Sequence, residues 1–408
     1  MGGHSSRGRG EGAHGAGDCQ TRKAGRGDLL ELQRYLDQIG LTNLTWGNLV
    51  LLLVGLGFIF VAIARKMEPY VLLPIGIGII LGNLPLTRMT IFDPDPAAVQ
   101  ASGLLGVFFH YGLSFWNLLP PLVFLGLGAM TDFGPMIANP KTILLGAAAQ
   151  LGIFVAFWGS LATGFFSIPE ASAIAIIGGA DGPTTIYASA QLAPELLGIV
   201  GVVAYSYMAS VAFIQPPLMR LLTTEKERQI EMKPLREVSK LERLLFPTLG
   251  MVIIILLVPH SAPLISMFMI GNLFKESGVV PRLVSAASNE ILNVVTIFLM
   301  LTVGAQMSAE RVFTLKTLAI FGLGLVAFGA GTAGGLIFAR IMNLFSKDKI
   351  NPLIGSAGVS AVPMAARISH QLGQEANPRT MLLPHAMGPN VAGVIGSAVV
   401  AGVFLALA

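Results

Sequence analysis

Ile177-Gly178-Gly179-Ala180-Asp181-Gly182-Pro183-Thr184-Thr185 sets a carboxylate among glycines and a proline in the middle of an apolar run that extends over 171–189. A charged side chain at the centre of a bilayer costs about 2.5–3.5 kcal/mol on insertion scales, so Asp181 requires a partner or an ion. The glycines and Pro183 break a helix there, and the carbonyls set free need donors or a cation. Asp181, Thr184, Thr185 and those carbonyls supply only hard oxygens, which suit an alkali or alkaline-earth cation rather than zinc or copper. Pro183 followed by Thr184 also opens a helix whose N-terminus can hold an anion. The competing interpretation is a turn outside the membrane, because Gly-Ala-Asp-Gly-Pro is good turn chemistry. The apolar runs on both sides favour an ion or substrate site.

The rest of the chain agrees with a membrane setting. Hydrophobic residues make up 53% of 408 and charged residues only 12%, against about 25% charged in soluble proteins. Mean hydropathy is +0.72. The 48 Gly and 24 Pro lie largely inside apolar runs, where membrane helices tolerate them. A net charge of +4 without basic–aromatic interleaving gives no reason to expect nucleic acid as a partner. Cys19 stands alone, which excludes a disulfide framework and a cysteine metal site. There is no P-loop, nucleophile elbow or dinucleotide fingerprint.

Apart from 104–116, marginal and aromatic enough to suit the interface, apolar segments at 46–64, 70–84, 120–130, 142–166, 171–189, 196–219, 246–271, 291–307, 315–338, 352–368 and 381–407 amount to ten or eleven membrane segments, two or three of them not crossing fully. The expected fold is therefore an all-α polytopic membrane protein. Residues 1–28, rich in Gly, Arg and His, are expected to form a disordered tail, and His4 and His14 lack the setting of metal ligands. N-terminal membrane segments occupy 29–118. Residues 221–245 form a charged loop; the stretch 220–243 carries seven basic and five acidic side chains, which predicts a cytoplasmic location. Connecting membrane segments fill 246–292.

Residues 119–220 and 293–408 read as two copies of one unit. Phe124-Leu-Gly-Leu-Gly-Ala-Met and a following Lys141-Thr-Ile-Leu match Phe298-Leu-Met-Leu-Thr-Val-Gly-Ala and Lys316-Thr-Leu-Ala. Each unit then has a Gly/Pro-broken apolar segment and one further long span; paired broken helices are a sequence pointer to a midplane site. The second broken segment runs from Asn351 through Gly355, Ser356, Gly358, Ser360 and Pro363 to Arg367. An arginine beside a half-buried site can hold a carboxylate in bidentate fashion. Tyr205-Ser206-Tyr207-Met208 lies in the span after Asp181, and His385-Ala-Met-Gly388-Pro389-Asn390 opens the last span, with Asn390 at a helix start. His385 and His370 lack the acidic cluster of a metal site and read as interfacial.

Taken together, these stretches, with Glu68-Pro69-Tyr70 and Leu73-Pro74-Ile75-Gly76, resemble the beta subunit of the sodium-pumping biotin-dependent decarboxylases, which act on oxaloacetate, methylmalonyl-CoA or glutaconyl-CoA. The resemblance covers roughly residues 45–408. It implies a carboxybiotin decarboxylase that releases CO2, consumes a proton and exports Na+. Matched by motif, it implies catalytic roles for Asp181, Tyr207 and Arg367, and contacts to the biotin group at Gly178, Gly179, Gly355, Ser360 and Arg367. It also implies sodium ligands at Asp181, Asn351, Ser360 and Asn390. It further implies Na+ and a partner-borne biotin as cofactors, and inverted repeats with a scaffold and a mobile, elevator-like core. The partners it implies are a biotin carrier and carboxyltransferase subunit and a small gamma-type subunit, with a homotrimer in the inner cell membrane. The proton relay is expected at Tyr207, with Asp181 as a possible acid. A sodium-coupled symporter acting alone is the alternative, and a non-catalytic membrane scaffold a third reading.

Overall fold

A computed structural model describes residues 36–37, 39–86 and 103–408. The tail at 1–28, with His4, His14 and Cys19, and the polar stretch at 93–100 lie outside the described residues. Among the described residues every regular element is helical.

Six helices are long and apolar enough to cross a bilayer: α1 (Trp46–Ala64), α5 (Lys141–Ala162), α8 (Pro194–Leu222), α11 (Pro281–Ala305), α12 (Leu315–Phe345) and α14 (Leu383–Leu407). A seventh crossing forms if α3 (Leu104–Phe115) and α4 (Leu119–Met130), bent by 77° at their junction, count as one span. The sequence expectation of ten or eleven segments, two or three of them not crossing fully, exceeds this number for a physical reason. Glycine and proline shorten the remaining apolar segments. Thus α2 (Pro69–Gly82) has 14 residues, α7 (Gly182–Leu192) 11 and α13 (Met364–Ala376) 13. Each falls short of the roughly 20 residues a full crossing needs. Helices α6 (Ile168–Gly179) and α10 (Ala262–Ser277, 16 residues) are also short, while α9 (Lys240–Leu257) has 18 residues but opens on the charged Lys240, Glu242 and Arg243.

Small residues set how closely these helices approach, as expected where lipid supplies no hydrophobic drive between them. At the α4–α10 contact, Gly128 faces the Phe268 carbonyl and Gly271 faces the Leu125 carbonyl. At the α2–α11 contact, Gly78 faces the Leu301 carbonyl and Gly304 faces the Ile75 carbonyl. A side chain at any of these positions would collide with backbone.

The two broken segments pack on long helices in the same manner. Gly178 at the end of α6 lies against Gly152 of α5, and Gly355, in the one-turn helix Leu353–Ser356, lies against Gly335 of α12. The charged segment between α8 and α9 is tied to one end of the molecule by Arg340–Glu227 and Lys233–Asp348, both 2.8 Å. Exposed pairs of this kind contribute at most about 1 kcal/mol each. They fix where the segment lies rather than how stable the protein is.

Candidate functional site

The site is built where α6 ends and α7 begins. Helix α6 tightens into a 3-10 turn over Ile176–Gly179, and Ala180 then takes a left-handed conformation (φ 53°). Few non-glycine residues do so, and the reversal separates the two half-helices. Asp181 caps α7: its Oδ1 accepts from the Thr184 amide at 3.2 Å. This satisfies one of the orphan amides of a helix N-terminus, and the helix dipole favours the negative charge. Its Oδ2 accepts from the Ser397 hydroxyl at 2.6 Å. Asp181 is 4% exposed, and no cationic side chain pairs with it among the described residues.

The second broken segment meets the first directly. The Ser360 amide donates to the Gly179 carbonyl at 2.9 Å, and the Ser360 hydroxyl reaches Ser397 Oγ at 3.4 Å. Asn390 holds this segment in place, donating to the carbonyls of Ala357 and Val359, both at 2.8 Å. Asn390 and Ser397 lie two turns apart on α14, so one face of that helix serves both segments. The Oδ1 of Asn390 is buried without a hydrogen-bond partner, as is the Oε1 of Gln150, whose amide donates to the Gly393 carbonyl at 3.3 Å. Buried polar atoms without partners are rare. Both are neutral hard oxygens, the type an alkali cation takes, on α14, which also carries Ser397, and at the start of the half of α5 that packs on Gly178. Among the described residues no cluster of three or more His, Cys, Asp or Glu could hold a metal ion, so the chemistry on offer is one carboxylate with neutral oxygens.

The two tyrosines point in different directions. Successive residues on a helix are turned by about 100°, so positions two apart face nearly opposite ways. Tyr205 faces the break: a Cβ at Gly182 would lie 2.7 Å from its phenol oxygen. The phenol is buried within electrostatic range of both Asp181 and Glu68. Tyr207 instead donates to the Phe321 carbonyl of α12, with its ring against Gly324. The Tyr-Ser-Tyr motif contains both, and the resemblance puts the proton relay on Tyr207, whereas in this structure Tyr205 is the one that faces the break. Only the helical phase relative to Gly182 separates them, and that phase is not visible in the Tyr-Ser-Tyr motif.

Arg367, exposed near the start of α13, has no hydrogen bond or ion pair among the described residues, but its charge acts on the Glu68 carboxylate. Glu68 immediately precedes α2 and holds a left-handed backbone (φ 36°) before Pro69. That conformation is disfavoured for a residue before proline, and such outliers cluster at functional sites. Glu68, part of the Glu-Pro-Tyr motif, thus carries a carboxylate within range of the Arg367 charge.

Four expected residues are differently engaged. Asn351 donates to the carbonyls of Arg228 and Ile230 at 2.8 and 3.0 Å and accepts from the Leu353 amide at 3.1 Å. Its side chain therefore anchors the charged segment. At Gly178 and Gly355 the space a side chain would take is filled by the backbone of Gly152 and Gly335, and at Gly179 Ile153 and Ser397 come within 3.2 Å. In this conformation the three glycines serve helix contact.

Comparison with known proteins identifies the family. The family model described as the Na+-transporting oxaloacetate decarboxylase beta subunit matches residues 47–408. The chain belongs to this family. It is 52% identical over 397 residues to the methylmalonyl-CoA decarboxylase subunit beta of Propionigenium modestum, covering 92% of this chain and 99% of that one. It is 52% identical over 379 residues to the glutaconyl-CoA decarboxylase subunit beta of Acidaminococcus fermentans, covering 93% and 98%. It is 48% identical over 425 residues to the oxaloacetate decarboxylase beta chain 2 of Salmonella typhi, covering 92% and 98%. As a beta subunit the chain is one component of a multi-subunit membrane decarboxylase. The symporter alternative finds no support among these relatives.

Proposed function

We propose that the break at Asp181 is the point where this beta subunit couples decarboxylation of carboxybiotin to Na+ export. The observation that carries this reading is the buried Asp181 carboxylate, held by Ser397 and the Thr184 amide and facing the second broken segment across the Ser360–Gly179 bond. No cationic side chain neutralises it among the described residues, which leaves the role to a mobile cation or a proton.

The cargo ion is taken by Asp181, Ser360 and Asn390, with Ser397 and Gln150 completing the oxygen set. Asn351, turned toward the charged segment, supports the site by anchoring the chain that leads into it. Carboxybiotin, brought by a partner subunit, supplies a labile N–CO2 bond once bound. Arg367 suits its carboxylate, because the guanidinium has no bonded partner among the described residues and offers a bidentate fork. Ser360 lies on the same segment. Contacts to Gly178, Gly179 and Gly355 require the half-helices to part, as motion of a core against a scaffold would allow.

Loss of CO2 spreads the carboxylate charge, so a site that excludes water favours it. The ring nitrogen then takes a proton, and the balance is carboxybiotin plus H+ giving biotin plus CO2. Tyr205, whose phenol lies against Gly182, passes this proton from Asp181, and Tyr207, turned the other way to the Phe321 carbonyl, holds α8 on α12. A cation within about 4–6 Å keeps a carboxylate ionised, so sodium and proton compete for Asp181. That competition links ion release to chemistry.

The cross-pairing of α2 with α11 and of α4 with α10 supports two related units of wider extent than 119–220 and 293–408, beginning near α1 and α9. Inner-membrane location, a homotrimer and gamma-type, carboxyltransferase and biotin-carrier partners belong to the same proposal. Reconstituted with a carboxylated biotin carrier, the chain is expected to release CO2 and drive sodium-22 movement. Without the carrier it does neither. Solute-driven sodium uptake by the chain alone would overturn the proposal.

A further inference from the structure

We propose that the cavity between α5, α12 and the charged segment binds an anionic phospholipid of the cytoplasmic leaflet. The cavity, about 960 Å³, lies at the end of the molecule that carries the charged segment. Its lining holds five basic side chains, Lys141, Lys233, Arg236, Lys347 and Lys349, against two acidic ones, Glu231 and Asp348. Lys233 is joined to Asp348 at 2.8 Å and Arg236 to Glu242 at 2.7 Å. The ammonium groups of Lys141, Lys347 and Lys349 have no hydrogen bond or ion pair among the described residues, and Lys141 acts on Asp348 only at a distance.

A second observation points to a ligand. His385, 5% exposed, lines the cavity from the start of α14, and its Nδ1 has no partner. Three free cations at the rim and one buried polar nitrogen at the wall suit a phosphate with neighbouring glycerol oxygens. The remaining wall is apolar and continues outward. Leu144 of α5 and Ile341 of α12 line the cavity and also form part of the exposed apolar surface, with Phe345 at its edge 86% exposed. A soluble anion has no use for that surface, whereas acyl chains would lie along it. Basic recesses between helices on the cytoplasmic side attract anionic headgroups, and the surface of that leaflet is negative. The inference rests on the cytoplasmic placement of the charged segment and not on the chemistry at Asp181.

The test uses the full chain, purified in neutral detergent and stripped of lipid. Thermal unfolding is followed with phosphatidylglycerol, phosphatidylcholine or glycerol 1-phosphate added. Phosphatidylglycerol is expected to raise the midpoint saturably, and the other two to leave it unchanged. The triple variant K141Q/K347Q/K349Q is expected to lose at least half of that shift. Lys316→Gln, at the opposite end of α12, is expected to keep it. Native mass spectrometry provides a second readout that does not depend on the variant's stability: the triple variant should retain one fewer phosphatidylglycerol. An undiminished shift and unchanged lipid count in the triple variant overturn the proposal. So does an equal response to glycerol 1-phosphate, which marks a free-anion site.

Discussion

At Asp181 a carboxylate is buried with one hydroxyl and one amide as partners and no counter-charge among the described residues. Ser397 is the group whose removal most directly disturbs it. Ser397→Ala is expected to weaken the apparent sodium affinity of turnover by about 10- to 100-fold, the size of one lost charge-assisted hydrogen bond of roughly 1.5–3 kcal/mol; sodium titration of decarboxylation measures it. The tyrosines make a sharper comparison. Tyr205→Phe is expected to lower turnover by about 10²–10⁴-fold, the range of a lost proton-transfer group, with little change in thermal midpoint. Tyr207→Phe removes the bond to the Phe321 carbonyl and is expected to lower the midpoint as well as the rate. Paired assays of activity and unfolding separate the two. Asp181 was legible from sequence because a carboxylate in an apolar run is too costly to bury unless an ion, a proton or a partner meets it. Tyr205 and Ser397 were not: one depends on helical phase, and the other is a serine among small residues 216 positions away from its partner.

At the scale of elements, glycine decides which helices can touch. A side chain at Gly128 would strike the Phe268 carbonyl, while one at Gly322 meets nothing within 4 Å. Gly128→Val is therefore expected to destabilise the protein by about 1–3 kcal/mol, the cost of overpacking. Gly322→Ala should leave stability unchanged or slightly raised, because alanine is the better helix former. Unfolding of both variants in the same detergent decides this. The start of α9 carries a pH signature. Hydrogen bonds from Arg236, then from Ser239, hold the Glu242 carboxyl at about 2, below its ordinary 4.5. A group depressed in this way contributes above its unfolded value and loses that contribution as pH falls through the folded one. Anchoring of the charged segment by Glu242 is thus expected to persist from neutral pH down to about 4.5 and to fade toward about 2; limited proteolysis of the segment across that range checks it. The long helices were legible from apolar length alone. The short ones were overcounted as spans, since composition shows that a segment is apolar but not where Gly or Pro ends its helix.

For the molecule as a whole, two broken helices from distant parts of the chain meet head to head, each packed on a long helix through a glycine pair, and α14 carries Asn390 and Ser397 for both. The meeting of 171–189 with 351–367 was legible because both interrupt apolar runs in the same way. The pairing of α2 with α11 and α4 with α10 was not, since it depends on carbonyls approached across glycines far apart in sequence. The central claim is that one carboxylate couples ion movement to chemistry. It is tested most directly by reconstituting Asp181→Asn in the full complex and following carboxybiotin decay together with sodium-22 transport in the same vesicles. Loss of sodium-dependent decay together with loss of transport is the result expected; full pumping by the Asp181→Asn complex would contradict it.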